Sequence, residues 1–396
     1  MRRRFLVIII LILSRPCFSQ DSDSILFGRS KGKLPFIEYG IGDDRLGGAK
    51  LGYIDSGILL HIVDSFKTDY KVRLSKYHSG YISKESVTLM GKENSKTSPH
   101  NNHLSGNMHV YGDSSRDYVT LNLDERLPYH GFQLIDPSRI AVDVYGVTSN
   151  TNWITQLRSV REIRNTWYEQ VEDDVFRIYI ELRHPQHWGY GISYDSGSNR
   201  LVVHVKRQPA SLDIKKLRIA IDPGHGGDNS GATGGSSGIV EKNYTLVIAK
   251  ELEKTLKKAG VKQVFMTRTI DTSLTMPERI LMLRDYHPDL LVSVHLNSAG
   301  SDTIQGTSTY YRYIGFRPLS EAILSQMLSL GLKEYGNVGN FNFALSGPTE
   351  YPNALVEVAF LSNRADERKV ISLKFQKAVA QKIYLGILDF LKETKP

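Results

Sequence analysis

The chain has 396 residues, of which 40% are apolar and 23% are charged, so it can bury a core and is too long for one ordinary domain. Its formal net charge is +8 at pH 7, a basic excess that suits a polyanionic partner. No block of lysine and arginine with interleaved aromatics accompanies that charge, which argues against a nucleic-acid-binding protein.

Residues 1–19 have the features of a secretory signal peptide. Three arginines at positions 2–4 precede an apolar core at 5–13, and small residues precede a cleavage site before Gln20. A retained anchor is the alternative, but the apolar run is short for a membrane span. Cleavage would remove the only cysteine, Cys17, together with four arginines, which leaves no disulfide and a formal charge of +4. We therefore expect an exported protein of the periplasm or cell envelope.

Residues 35–92 are predicted to form a small antiparallel β-barrel. Short alternating runs are separated there by turn signals such as Asp55-Ser56-Gly57. The run KVRLSKYHSGYISKESVTLM, which begins at Lys71, resembles the last strands of bacterial Src-homology-3-like modules. That resemblance implies binding to cell-wall peptides, whereas a spacer that only positions the next domain is the alternative.

Two polar stretches are predicted to be linkers. Residues 93–109 are rich in Lys, Ser, Asn and Gly, which is typical of a flexible connection. We expect His100, His103 and His109 to be solvated there, since their irregular spacing without carboxylates or cysteines does not indicate a metal site. Residues 209–216 are predicted to form a short hinge.

Residues 110–208 are predicted to form a β-sandwich. Two segments of similar pattern begin at Tyr118 and Val175, and such an internal repeat predicts a sandwich of two related sheets. The pattern resembles the AMIN domain, which implies that this module targets the protein to places on the cell wall. Four aromatics would form either an exposed platform for sugar rings or, more commonly at alternating positions, part of the core: Tyr129, Phe132, Trp188 and Tyr190.

Residues 217–396 alternate between strand and helix patterns, which predicts an α/β domain with a mostly parallel sheet flanked by helices. Helices are predicted at 242–259, 318–335 and 375–391. A further helix is predicted to start at Thr275, where the spacing is that of a capping box. In a sheet of this kind chemistry is expected where the strands end. The fold class is therefore multidomain, with two all-β modules followed by an α/β domain.

Four side chains at or near element ends indicate a catalytic metal centre. His225 follows a strand in DPGHGG, His295 ends the strand LLVSVHLN, and Glu241 opens a helix. Two histidines and a glutamate leave one position of a tetrahedral metal open. Glu357 lies in the apolar run NALVEVAFLSN, where burial without a purpose is costly, and is the natural general base and acid. Each residue alone also has an ordinary structural interpretation.

The same segments resemble the zinc-dependent N-acetylmuramoyl-L-alanine amidases of the amidase type 3 family. Roughly residues 216–391 are covered by five matching segments in order: DPGHGG, VEKN, SVHLN, GTSTYY and ALVEVAFLSN. The resemblance implies one zinc ion, held by His225, Glu241 and His295, and cleavage of the amide between N-acetylmuramic acid and L-alanine. Four further residues are predicted to orient ligands, bind substrate or fix the fold: Asn243, Asn297, Arg268 and Arg279.

The expected partner is peptidoglycan, with neither nucleic acid nor nucleotide. Some members of the family carry an insertion whose helix blocks the zinc until a partner displaces it. Residues 311–342 are too short for such a helix, so we expect an open site controlled by the amino-terminal modules, while an envelope activator or division protein stays open as a partner. A zinc peptidase acting on the stem peptide and a catalytically silent wall-binding protein are the alternatives.

Overall fold

The computed structural model describes residues 26–42, 47–91 and 103–394. The predicted signal peptide, 1–19, and residues 93–102 of the predicted linker lie outside these ranges. An all-β part precedes a part built from strands and helices, as the sequence predicted. Within the described part of the chain, none of the helices combines the length and apolar character that a membrane crossing requires.

The amino-terminal sheet region, residues 26–89, is one antiparallel sheet. Its seven strands are β1 (Leu26–Ser30), β2 (Phe36–Glu38), β3 (Lys50–Tyr53), β4 (Leu59–Ser65), β5 (Asp69–Arg73), β6 (Ser79–Ser83) and β7 (Val87–Leu89). They are ordered β3-β2-β6-β5-β4-β1-β7. The strand β1 precedes the predicted boundary at residue 35 and pairs with both β4 and β7. Its short run LFGRS has too little alternation to indicate a strand by itself.

The double-sheet region, residues 103–206, contains ten strands. They are β8 (His103–Gly112), β9 (Arg116–Leu123), β10 (Tyr129–Ile135), β11 (Ser138–Tyr145), β12 (Val147–Thr148), β13 (Ile154–Gln156), β14 (Ile163–Glu172), β15 (Val175–Leu182), β16 (Tyr190–Tyr194) and β17 (Arg200–Lys206). One sheet is ordered β10-β11-β15-β14, and the other β12-β8-β9-β17-β16 with β13 also paired to β8. Each predicted repeat therefore contributes strands to both sheets, because β11 pairs with β15 and β9 pairs with β17 across the repeats.

Two interpretations of the all-β part can now be judged. Residues 103–109 belong to β8 and not to a linker, because pairing with β9 and alternating burial outweigh their polar composition. His103 is buried, with its Nδ1 2.9 Å from Oδ1 of Asp124, so its predicted solvation was wrong. Tyr129 and Tyr190 are buried in the core of the all-β part, which confirms the core interpretation for these two aromatics, whereas Trp188 is buried in the core of the α/β domain.

The α/β domain, residues 217–394, contains six strands and five helices. The strands are β18 (Arg218–Pro223), β19 (Gln263–Met266), β20 (Leu290–Asn297), β21 (Thr307–Tyr310), β22 (Glu334–Val338) and β23 (Asn353–Phe360). The helices are α1 (Glu241–Lys258), α2 (Met276–Tyr286), α3 (Arg317–Leu328), α4 (Arg364–Ile371) and α5 (Leu373–Glu393). The sheet is ordered β19-β18-β20-β23-β21-β22, and only the β21–β23 pairing is antiparallel.

Helices cover both faces of this sheet. In β18, Ile219 and Ile221 join the core with α1, α3 and α5, whereas Ala220 faces the opposite side with α2. The predicted capping box at Thr275 is present, because Glu278 and Thr275 each accept the other's backbone N–H. The predicted helix at 318–335 was too long: α3 ends at Leu328, and β22 starts after a turn with Gly331 at φ 70°. A strand follows because the apolar helical stripe stops there.

Candidate metal centre

The turn after β18 places His225 at the carboxyl end of the sheet. Its φ is 61°, in the left-handed region that residues other than glycine rarely adopt. Arg279 donates to the carbonyl oxygens of Pro223 at 2.9 Å and His225 at 2.5 Å, and Arg268 donates to those of Pro223 at 3.1 Å and Gly224 at 2.8 Å. Both arginines are buried, so their donors fix the strained turn.

Asp222 in turn holds Arg279. The Arg279 Nη1 atom lies 2.6 Å from Asp222 Oδ1, and both side chains are almost fully buried. Thr267 and Ser293 also donate their hydroxyls to Asp222, at 2.6 and 2.7 Å. Burial alone would raise the pKa of Asp222, but the charge of Arg279 and these hydroxyls lower it. The turn therefore rests on an ionised, fully bonded carboxylate.

Three predicted ligands converge beside this turn. Oε1 of Glu241 lies 3.1 Å from Nε2 of His225 and 3.1 Å from Nδ1 of His295. One ligand atom from each residue lies within 4.8 Å of the others. The close contact between the His295 ring and the backbone of the turn requires glycine at 224, because a Cβ there would stand 2.4 Å from the ring.

Backbone hydrogen bonds hold the Glu241 carboxylate in this position. Its Oε1 accepts the N–H of Leu296 at 2.9 Å, and its Oε2 accepts that of Ala232 at 2.8 Å. Burial alone would raise the pKa of Glu241, but its bonds with His225 and His295 bring that pKa well below its usual range. Glu241 therefore remains an anion, the form that a metal ligand requires.

The donor set fits a metal ion. Nδ1 of His225 lies 2.8 Å from Oδ1 of Asn229, an oxygen that can only accept, so Nδ1 carries the proton and the lone pair of Nε2 lies on the side of Glu241. Nε2 of His295 is buried and has no hydrogen-bond partner among the described residues. Two imidazoles and a carboxylate are the protein ligands of many catalytic zinc sites. These three residues could therefore hold a metal and leave a position open.

Glu357 lies on β23, next to the strand that carries His295. The two residues are partners in the parallel register, so their side chains point to the same face of the sheet. Glu357 is half-buried. The pKa of Tyr310 is raised by burial and by the nearby charge of Glu357. Its hydrogen bonds with Ser308 and Asn297 lower that pKa but do not outweigh the rise. Glu357 thus faces the same end of the site as His295.

The four additional predicted residues have different surroundings. Arg268 and Arg279 are directed at backbone carbonyls, which favours the interpretation that they fix the fold over substrate contact. The side-chain amide of Asn297 donates to the Tyr310 hydroxyl at 3.3 Å, at the edge of the site. Asn243 is exposed in the first turn of α1, and its side chain makes no hydrogen bond within the described ranges.

Sequence reasoning missed two contacts with the histidines. Asn229 orients His225, and the only sequence signal was an amide four residues later in the same loop. Phe343 packs edge-on against His295, with ring centroids 5.4 Å apart, and Phe341 lies 4.6 Å from the ring of Tyr310. The alternating run Phe341-Asn342-Phe343 was a signal for a structured segment, because two large apolar side chains flank one amide.

The chain is similar to known proteins in sequence. Residues 219–389 match the profile of a family described as N-acetylmuramoyl-L-alanine amidase. The uncharacterized protein YqiI of Bacillus subtilis is 34% identical over 182 residues, which cover 45% of this chain and 86% of that protein. The amidase AmiC of Neisseria meningitidis is 26% identical over 375 residues, which cover 70% of this chain and 88% of that protein.

A solved structure is similar to less than half of the chain. The catalytic domain of CwlV, an N-acetylmuramoyl-L-alanine amidase from Bacillus (Paenibacillus) polymyxa, is 33% identical and covers 44% of this chain and 98% of that chain, with a TM-score of 0.43. The stretch matched by the family profile begins in β18 and ends in α5, and it includes all three members of the His225–Glu241–His295 cluster. Residues 219–389, which carry this cluster, therefore match the N-acetylmuramoyl-L-alanine amidase family.

Proposed function

We propose that this protein is an exported, zinc-dependent peptidoglycan hydrolase that cleaves the amide between N-acetylmuramic acid and the L-alanine of the stem peptide. The observation that supports it most is the His225–Glu241–His295 cluster, with Glu357 in register on the next strand, inside the stretch that matches the amidase family. One zinc ion per α/β domain would be held by the three clustered side chains.

When bound, zinc supplies a Lewis acid that polarises the scissile carbonyl and makes a water molecule more acidic. The protein's own residues position the reacting groups. Glu241 and the two imidazoles fix the position at which the carbonyl and the water meet, and Asn229 fixes the His225 ring. Because Asp222 and the two arginines hold the turn, the centre is organised before substrate arrives.

Glu357 is proposed to move the proton. Its carboxylate accepts a proton as the water oxygen bonds to the carbonyl carbon, and then donates it to the amide nitrogen as the C–N bond breaks. The products are the lactyl carboxylate of muramic acid and a stem peptide with a free L-alanine amino group. This proton transfer needs a carboxylate beside the metal that is not itself a ligand.

The amino-terminal parts are proposed to place the enzyme on the wall. We propose that residues 26–89 are a Src-homology-3-like module and that residues 103–206 are an AMIN-like targeting domain, both after a signal peptide at 1–19. Export to the periplasm or cell envelope and a role in wall remodelling or daughter-cell separation follow from that arrangement. Between β21 and β22 the described chain has only a 3-10 turn and α3, which supports an open site without a blocking helix.

The test is digestion of purified peptidoglycan by the purified protein, with and without a chelator, followed by mass analysis. We expect free stem peptides that begin at L-alanine, lost with the chelator and restored by added zinc. Shortened peptides still attached to muramic acid would instead establish a stem-peptide peptidase. Sedimentation with the wall but no product would favour a silent binding protein, unless an envelope activator restores cleavage.

A further inference from the structure

The segment 339–347, the first part of the connection from β22 to β23, contacts both the metal centre and the amino-terminal sheet region. Phe343 packs against His295, and Phe341 packs against both Tyr310 and Phe343. Both phenylalanine rings are half-buried, so part of each stays accessible beside the metal ligands. An accessible aromatic wall of this kind suits the apolar face of a sugar ring or the methyl group of alanine.

Asn342, between the two phenylalanines, bonds to the amino-terminal sheet region. Its Oδ1 accepts the backbone N–H of Lys50 at 3.2 Å, and its Nδ2 donates to the carbonyl oxygen of Gly48 at 2.8 Å. Arg312 joins the same contact, since it donates to Asn342 Oδ1 at 3.3 Å and to the carbonyl oxygen of Lys50. One amide side chain therefore connects parts of the chain almost 300 residues apart.

The contact continues along the segment. The hydroxyl of Tyr53 lies 3.5 Å from the carbonyl oxygen of Ala344, and a Cβ on Gly347 would stand 3.0 Å from the Tyr53 ring. Tyr313 donates its hydroxyl to the carbonyl oxygen of Gly347 at 2.8 Å. An irregular segment without such anchors would have many conformations open to it, because few backbone bonds of its own restrain it.

We propose that the amino-terminal sheet region, through Asn342, positions the segment 339–347 as an aromatic wall of the substrate site. This inference rests on the amidase function proposed above and gives the amino-terminal region a second role besides targeting. Asn342 is a positioning residue, since its side chain bonds to the amino-terminal sheet while Phe341 and Phe343 contact the site. Its loss should weaken substrate binding more than turnover.

The experiment compares the intact protein with Asn342→Ala and Asn342→Asp. Hydrogen–deuterium exchange is measured by mass spectrometry, zinc content by elemental analysis, and KM and kcat with soluble muramoyl-peptide fragments. For Asn342→Ala we expect faster exchange in 339–347 and a KM raised about tenfold, with kcat within about twofold and zinc content unchanged. Asn342→Asp keeps the acceptor for Lys50 but loses the donor to Gly48, so its KM should lie between the values of the intact protein and of Asn342→Ala.

Asn122→Ala is the matched control, because Asn122 is an exposed amide of the double-sheet region without a side-chain hydrogen bond in the described structure. Unchanged exchange and unchanged KM in Asn342→Ala would overturn the proposal. A fall in kcat and zinc content with KM unchanged would also overturn it, because Asn342 would then support only the fold of the centre. If the wild type releases no stem peptide, the proposed function fails, whereas the exchange comparison still decides whether Asn342 orders the segment.

Discussion

Two glutamates lie close to the imidazoles, and their surroundings suit them to different tasks. Glu241 accepts two backbone N–H groups and contacts both histidines, which keeps it ionised and immobile. Glu357 lies between Val356 and Val358 on β23, and Tyr310 is near its charge. A fixed anion suits a metal ligand, and a second carboxylate on the strand next to His295 suits proton transfer.

Replacing Glu357 by glutamine should separate these two tasks. Glutamine has nearly the same shape but cannot take up a proton from water, so we expect Glu357→Gln to lower the rate of stem-peptide release by about 10²–10⁴-fold. Zinc content should stay at the wild-type value, because the three ligands are untouched. Glu334→Gln, an exposed position on β22 of the same sheet, is the control. Loss of zinc together with activity would show that Glu357 supports the centre and does not act as the base.

Residues of the candidate site could be predicted only where the local sequence determines their position. His225 and His295 follow apolar strand patterns, and parallel strands end at one edge of a sheet, so their proximity was predictable. Phe343 and Asn342 lie in an irregular segment whose path depends on contacts with residues 48–53, far away in sequence. No local pattern carries that information.

At the scale of elements, the carboxyl end of β18 and the amino-terminal part of α2 are held together by side-chain hydrogen bonds. Arg279 on α2 reaches back to Asp222 and to the carbonyls of the turn after β18. The sequence predicted β18 and the capped start of α2 separately, from apolar periodicity and the capping box. It could not predict the buried ion pair between them. The sequence left open whether Arg279 fixes the fold or contacts substrate, and local patterns do not show which side chains of separate elements meet.

The Asp222–Arg279 pair should make stability depend on pH. Because the pKa of Asp222 is lower in the folded protein than its ordinary value of 3.8, the pair stabilises the fold above that value, and this stability is lost as pH falls through the folded pKa. Asp222→Asn leaves Arg279 buried without its counter-charge, so we expect a loss of about 3–5 kcal/mol at pH 7. The gap between variant and wild type should shrink below about pH 4.

Urea unfolding of both proteins at several pH values between neutral and acid would measure this difference. Asp285→Asn is the matched control, because Asp285 is an exposed carboxylate on the same helix, α2. A gap between Asp222→Asn and wild type that stays constant down to acid pH would contradict the assignment of an ionised Asp222, since a neutral carboxyl would respond like the amide.

At the scale of the whole molecule, the predicted modules are not separate bodies. Trp188 of the double-sheet region is 1% exposed and packs against Phe390 of α5, inside the core of the α/β domain. Gly315, next to α3, donates to Gln133 at 2.8 Å and accepts from Gln186 at 2.7 Å. The hinge predicted at 209–216 came from composition alone, which cannot show a side chain crossing between regions.

Trp188 should therefore stabilise the α/β domain, although it precedes that domain in the sequence. A large aromatic removed from a core typically costs about 3–5 kcal/mol, so Trp188→Ala should lower the melting temperature of the α/β domain and split a shared unfolding transition into two. Calorimetry of the intact protein measures both effects. Trp153→Ala, at a position 58% exposed, should melt as the wild type does. Equal melting of Trp188→Ala and wild type would mean that the α/β domain folds without the double-sheet region, and the coupling inferred from the shared core would then be absent.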